Sequence, residues 1–575
     1  MVFEDFNLNR KDSWYIVFVL IFSLGLIYFR TRYHMSGGLF YPDKALYLMN
    51  SLAYSGMDYY GIVNPFDIYF SPVISFLTSI LFRLGLVDQL AISLVSSFIA
   101  FFGFVGLYLL LRIRFSSLLS LTGVIFFGSF SQVLINLSSG LIDLPSVSIS
   151  ILIILFGIMA VDKNSKYFLL VFPLFVIGFF TRYTVGFMLP IFLLYYVMKR
   201  NFLENIDEVL YDKSKLSVKL NGYLRSIEFK YIIVSLFISA VLAIIICKFL
   251  ILDYGATLEF INLAHKTSTN VNYGVDGGID VIYDKLFYVK NFSQIIFDDA
   301  RRFDRVLSTL VYLIIGFGLL ARLVTFIRSF DFSLKSQNYW KSKSFKRLLL
   351  ILLIGLLFLA AYSFKVWSNH MITNICMLVS FTILYSLLKE MGLDKDETAL
   401  NLLFIAYFVV YFVFMSIYMT KTPRYALPLL PALTYIIIYA FEGILNSLKG
   451  HFKSNSQKSI LSLDNVLPVF IIIILLASSF SYIIPMEIRD VDNDLVDVTD
   501  YIIDNDDDYH LKTFGSNYRD SRIIRWYLWD NVTFNDDYEE LGSGNLTYII
   551  AHSKLKLDNY HKIYHKGEYY LYHLN

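Results

Sequence analysis

The sequence predicts a membrane-embedded, all-α bundle of about 13 transmembrane helices, with interfacial helices in its first outer loop and a small C-terminal extracytoplasmic α/β domain. Three observations lead there. Hydrophobic residues make up 57% of the 575 residues and charged residues only 17%, where a soluble domain carries about 25%. Apolar runs long enough to cross a bilayer recur along the chain. After about residue 485 the sequence turns polar and alternating, as in NLTYIIAHSKL and GEYYLYHL, which is strand-like. A net charge of +2 gives no global field that would favour nucleic acid.

The first run, 14–30, follows Arg10 and Lys11 and precedes no small-residue cleavage site. It reads as a retained span rather than a removed leader. Twelve further spans read at 90–111, 117–135, 144–161, 166–181, 184–199, 231–252, 306–327, 347–365, 370–388, 399–419, 425–447 and 466–485. With the N-terminus cytoplasmic, the inner loops hold Arg112 and Arg114, Lys163 and Lys166, the basic run 199–230, the cluster 328–347, and Lys449, Lys453 and Lys458. That is the positive-inside pattern of a multi-pass cell-membrane protein. The run PVISFLTSILFRLGL from Pro72 is short and contains Arg83. Counting it as a span would invert every later loop, so it reads as an interfacial helix.

Three outer regions result: 31–90, 253–305 and the tail. Two domains are expected, a transmembrane unit over 1–485 and an extracytoplasmic unit over 486–575. The acidic run RDVDNDLVDVTDYIIDNDDDYH at their junction reads as a solvated linker. It is no EF-hand, because Leu495 stands where the loop needs Gly and Tyr501 where it needs Glu. Four sequons, at Asn136, Asn291, Asn531 and Asn545, fall outside or at the outer edge. Cys247 and Cys376 lie in apolar runs and read as buried small hydrophobes.

The chemistry-bearing residues gather at the outer face. Asp43 and Tyr47 follow the first span, and Asp143 opens the fourth in SSGLIDLPSVS. Arg182 sits in the turn FFTRYTVG, and Lys421, Arg424 and Tyr425 in TKTPRYALPLLPAL. Taken singly, each such charge marks an interface. Taken together, these two carboxylates and three cations come from segments that a helical bundle could bring together at one membrane face. An Arg fork suits a phosphate, and a carboxylate beside it suits deprotonation of a hydroxyl. The pattern predicts a lipid-phosphate substrate and an attacking alcohol.

These residues carry a resemblance to the GT-C glycosyltransferases that use polyprenyl-phosphate sugars, above all the protein O-mannosyltransferases and the aminoarabinose transferases. DKALY, from Asp43 to Tyr47, is similar to the family's Asp-Glu-x-x-Tyr in its Asp and its aromatic. DLP at Asp143–Pro145, Arg182 in TRYTVG and RYALPLLP from Arg424 to Pro431 resemble the family's remaining motifs, the last most specifically. Two positions depart from the pattern. Lys44 replaces the second acid, and Ser71 precedes Pro72 where a basic residue is expected.

The resemblance implies an inverting sugar transfer from a polyprenyl (dolichyl) monophosphate donor to a lipid, glycan or protein hydroxyl on the extracytoplasmic face. Asp43 would be the general base and Asp143 a supporting acid. Arg424, Arg182 and Lys421 would hold the phosphate, with Tyr47 and Tyr425 lining the site and Lys44 as a substitute cation. No metal is required, although a divalent ion serves some enzymes of this fold. Two other classes compete. A transporter or flippase for lipid-linked sugars would favour internal repeats and midplane charges. An oligosaccharyltransferase-like enzyme would need a Trp-Trp-Asp-Tyr-Gly motif, which RWYLWDN at 525–531 does not supply.

Overall fold

The computed structural model describes residues 8, 10–32, 39, 42–57, 71–203, 225–254, 284–297, 301–329, 343–390, 393–418, 421–451, 463–484, 493–516, 521–530, 532–534, 546–557 and 559–575. The chain opens with α1 (Arg10–Thr31), the short α2 (Pro42–Ser55) and α3 (Pro72–Arg83), and α4 (Gln89–Arg112). The bundle continues through α5 (Ser117–Ser129), α6 (Ser131–Asn136), α7 (Asp143–Asp162), α8 (Phe168–Thr181), α9 (Met188–Lys199) and α10 (Ile227–Leu250). After the short α11 (Phe287–Lys290) and α12 (Phe292–Ile296) come α13 (Arg302–Ser329), α14 (Lys343–Tyr362), α15 (His370–Glu390), α16 (Lys395–Ile417), α17 (Leu430–His451) and α18 (Leu463–Ile483).

Among the described residues, 10 helices are long and apolar enough to cross a membrane. The chain is a multi-pass membrane protein. Three of the thirteen expected spans, 117–135, 166–181 and 184–199, are shorter pieces. The first of these divides at Phe130, whose backbone is extended at φ −64°, ψ 133° and separates α5 from α6.

Burial sorts the helices into layers. α7 is apolar all round and buried on nearly every side, so it forms the centre. α10, α13 and α14 are as apolar but bury few side chains, which leaves their outer faces to lipid. Small residues permit the tightest crossings, as expected where lipid supplies no hydrophobic drive between helices. A Cβ on Gly318 would lie 2.2 Å from the Ala440 carbonyl oxygen, so α13 and α17 touch backbone to backbone there.

Ion pairs tie the helix ends remote from Asp43. Arg112 meets Asp12 at 2.7 Å, Lys199 meets Asp162 at 2.9 Å, and Arg200 meets Glu228 at 2.6 Å. Arg114 bridges Glu397 and Glu442, and Arg322 joins Glu442.

The C-terminal part carries α19 (Asn493–Asn505), α20 (Ser521–Leu528) and five strands. These are β1 (Phe514–Ser516), β2 (Val532–Phe534), β3 (Tyr548–Ala551), β4 (Tyr560–Lys566) and β5 (Tyr569–Leu574). The sheet order is β2-β1-β3-β5-β4, with β1 parallel to β2 and β3, and β5 antiparallel to β3 and β4. One expectation fails here. The acidic segment is no solvated linker over 493–505, because α19 buries Leu495, Val498, Thr499 and Ile502 on one face. That spacing is helical and outweighs the surrounding aspartates.

α2 and α3 share a single apolar core with α19, α20 and the sheet. Trp526 stacks on Phe82 at 6.3 Å, and the Leu39 backbone N–H donates to the Tyr527 hydroxyl. The small domain therefore packs directly on the helix that begins at Asp43. Trp526→Ala should cost about 3–5 kcal/mol of this contact. Limited proteolysis should then cut between 484 and 575 faster than in the parent; an unchanged rate would deny the contact this weight.

Candidate functional site

Asp43 occupies the first turn of α2, and its Oδ2 accepts from Arg424 Nη2 at 2.8 Å. Arg424 lies at the start of a 3-10 helix, Pro423–Leu429, in which Pro423 and Pro428 limit backbone hydrogen bonding and so prevent a regular α turn. Asp143 begins α7 and pairs with Arg182. Arg182 follows α8 in extended conformation, at φ −156°, ψ 125°, before a 3-10 turn. Tyr425 stands between the two pairs, with each guanidinium carbon 5.3 Å from its ring centre. Tyr47 is buried within electrostatic reach of Asp43, Arg424, Arg182 and Tyr425; burial, then the Asp43 charge, push its phenol above its usual range.

The two ion pairs differ in kind. The side chains of Arg424 and Asp43 retain 24% and 34% exposure, those of Arg182 and Asp143 only 14% and 5%. A pair that keeps more solvent contact is screened more strongly and held less firmly than a buried one. Leaving one partner of a buried pair alone costs about 3–5 kcal/mol. Asp143–Arg182 is therefore the fixed pair and Asp43–Arg424 the exchangeable one.

Two of the expected cations have other partners. Lys421 donates to the carbonyls of Met415, Ser416 and Tyr418 at 3.0, 2.8 and 2.6 Å, and so caps the C-terminus of α16. Its three ammonium donors are thus occupied, and burial pushes it down to about 8. Lys44 points away from Asp43. Its Nζ reaches Ser93 Oγ at 3.3 Å on α4, and its stem packs over Gly140. Gly140 has φ +77°, and a Cβ there would meet Lys44 Cε at 2.8 Å. The side chain thereby links α2 to the loop that leads into Asp143.

Ser71, the other departure, is buried at the start of α3 in left-handed conformation, φ 49°. Of the sequons, Asn136 is buried and donates to the Gln132 carbonyl, so it is closed to a glycan. Asn291 is part-buried, and Asn531 and Asn545 lie outside the described residues. Cys376 is buried, whereas Cys247 is only half-buried.

Burial of Lys44, with Arg30 as a second unfavourable charge and Asp88 opposing both, lowers its ammonium from 10.5 to about 7. Between these values the unfolded chain binds a proton that the folded protein does not. Stability therefore rises with pH from about 7 to 10.5, and the penalty is fully present below 7. Lys44→Met should raise the thermal midpoint at pH 7 and flatten the difference across that window. Parallel melting curves for the two proteins from pH 7 to 9.5 would refute it.

Sequence reading missed Tyr288. It is buried beside Arg182 and Tyr425, and its hydroxyl donates to the Thr422 carbonyl at 3.4 Å. No motif marks it among 43 tyrosines. Among the described residues, no group of three or more His, Cys, Asp or Glu side chains is placed to hold a metal ion.

The helical membrane bundle, with paired acids and arginines at one end beneath a small mixed sheet, is similar to known proteins in part of its sequence and in its fold. Residues 70–210 match the family model of dolichyl-phosphate-mannose-protein mannosyltransferases. That stretch includes Asp143 and Arg182 but neither Asp43 nor Arg424. ArnT from Cupriavidus metallidurans bound to undecaprenyl phosphate is similar over 97% of this chain and 98% of its own, with TM-score 0.52 and 10% identity. The same enzyme in the apo state gives TM-score 0.52 at 9% identity, over 98% of both chains. The oligosaccharyltransferase AglB from Archaeoglobus fulgidus aligns less well, at TM-score 0.47 and 11% identity, over 94% of this chain and 70% of its own. No curated protein matches in sequence.

Proposed function

We propose that this chain is a membrane glycosyltransferase that moves a sugar from a polyprenyl (dolichyl) monophosphate donor to an acceptor hydroxyl, with inversion, on the extracytoplasmic face. The observation that carries this reading is the cluster Asp43–Arg424–Tyr425–Arg182–Asp143 at one end of the fold. Undecaprenyl phosphate bound to ArnT supports a lipid phosphate as the donor's leaving group.

In the transfer, Asp43 takes the proton of the acceptor hydroxyl. The freed oxygen attacks the anomeric carbon. The bond from that carbon to the phosphate oxygen breaks, and the lipid phosphate leaves with the electron pair. Arg424 neutralises the charge that collects on it. Arg182, fixed by Asp143, adds a second positive charge to the same end. Tyr47, Tyr288 and Tyr425 provide aromatic walls for the sugar. Lys421 caps α16, and Lys44 links α2 to the loop before Asp143.

The remote end of the bundle gathers Arg112, Arg114, Lys199, Arg200 and Arg322, which supports a cytoplasmic assignment for it. The Asp43 end and the 486–575 unit then face outward. All 13 spans follow if α5, α8 and α9 also cross.

The test is to incubate purified protein with labelled polyprenyl-phosphate sugars and membrane extract. Transfer of label to an extract component is expected, and an inert protein across the donor series would refute the reading. Arg424→Ala should weaken binding of polyprenyl monophosphate about tenfold or more, since a charge-assisted contact is worth about 1.5–3 kcal/mol. Undiminished affinity in that variant would remove Arg424 from the phosphate site.

A further inference from the structure

The site as it stands holds a conflict. The group proposed to receive the acceptor's proton is hydrogen-bonded to the group proposed to hold the donor's phosphate, at 2.8 Å. The guanidinium at this distance occupies a lone pair of Asp43 Oδ2 that would otherwise receive the proton.

We propose that the donor's own phosphate switches the base on. Arg424 masks Asp43 in the empty enzyme, and a seated lipid-linked phosphate takes the guanidinium away, so the acceptor meets an active carboxylate only after the donor has bound. This rests on the function proposed above and adds to it an order of binding.

Four observations carry it. The masking pair is half-exposed on both sides, so an incoming anion can reach it. The contact uses one nitrogen, Nη2, of a guanidinium whose fork suits the paired oxygens of a phosphate. The neighbouring pair, Arg182–Asp143, is buried and stays closed, so Arg424 is the cation free to change partner. Arg424 also stands near the start of a 3-10 segment, with its guanidinium carbon 5.3 Å from the centre of the Tyr425 ring, a contact that does not depend on Asp43.

The consequence runs against the usual expectation for a catalytic carboxylate. If Asp43 and phosphate compete for Arg424, removing the Asp43 charge should strengthen phosphate binding. The experiment titrates polyprenyl monophosphate into the full-length protein in nanodiscs, for the parent, Asp43→Asn, Asp43→Ser and Arg424→Ala. Asp43→Asn and Asp43→Ser should bind about tenfold more tightly than the parent, the factor that corresponds to about 1.4 kcal/mol of competition. Equal or weaker binding in both Asp43 variants would overturn the masking. If the parent binds and Arg424→Ala does not, the donor reading survives that result. If no protein in the series binds polyprenyl monophosphate, the donor reading and the masking fall together.

Discussion

Asp43→Asn is expected to abolish most sugar transfer while the protein remains folded. General base catalysis contributes about 10²–10⁴-fold to rate. Asn keeps the shape of the side chain and cannot take a proton at neutral pH, so the loss should appear in kcat. The structural cost is small, because the Asp43–Arg424 pair keeps more solvent contact than a buried one. Initial rates with saturating donor, read beside gel-filtration profiles and melting curves, check both halves. A variant that keeps full turnover would exclude Asp43 as the base. A variant that loses turnover only because it aggregates would assign the residue to structure.

Asp143→Ala should behave in the opposite way and damage the fold first. Asp143 is 5% exposed, and its partner Arg182 is 14% exposed among Tyr425, Tyr288 and Tyr47. Removing the carboxylate strands a guanidinium in that setting, at a cost of about 3–5 kcal/mol. The loss falls at the N-terminus of α7, the most enclosed helix of the bundle. Thermal unfolding in detergent should show a large drop in midpoint. The double variant Asp143→Leu/Arg182→Met should recover much of it, because an apolar pair of similar volume replaces the buried charges. Recovery of stability without recovery of transfer would separate the structural role of the pair from its place in the site. A midpoint that does not move in Asp143→Ala would contradict the buried-pair account.

The bundle is legible because each span is a long apolar run that local hydrophobicity reveals. The site is legible as a set of segments but not as a set of partners. Asp43 and Arg424 lie 381 positions apart, and only helix packing decides that they meet. The same packing sets the partners of two expected cations. Lys421 follows closely on the end of α16, where unpaired carbonyls draw a cation, and three of them occupy it. Lys44 follows Asp43 in a helix, and successive side chains there diverge by about 100°. If Asp43 faces the site, Lys44 must face elsewhere, and it does. The burial of α19 was readable in the 495, 498 and 502 spacing, but the dense aspartates hid it. Tyr288 had no local signature, since tyrosine is common throughout the chain.

The central claim is that the Asp43–Arg424 end of the bundle turns over a lipid-phosphate sugar. The direct measurement follows one labelled donor through two products: label on an acceptor hydroxyl and unlabelled polyprenyl monophosphate released in equal amount. The parent protein should form both in step, and Asp43→Asn should form neither above about 1% of that rate. Formation of both products at the parent rate by Asp43→Asn, or an intact donor after incubation with the parent and acceptor extract, would contradict the account.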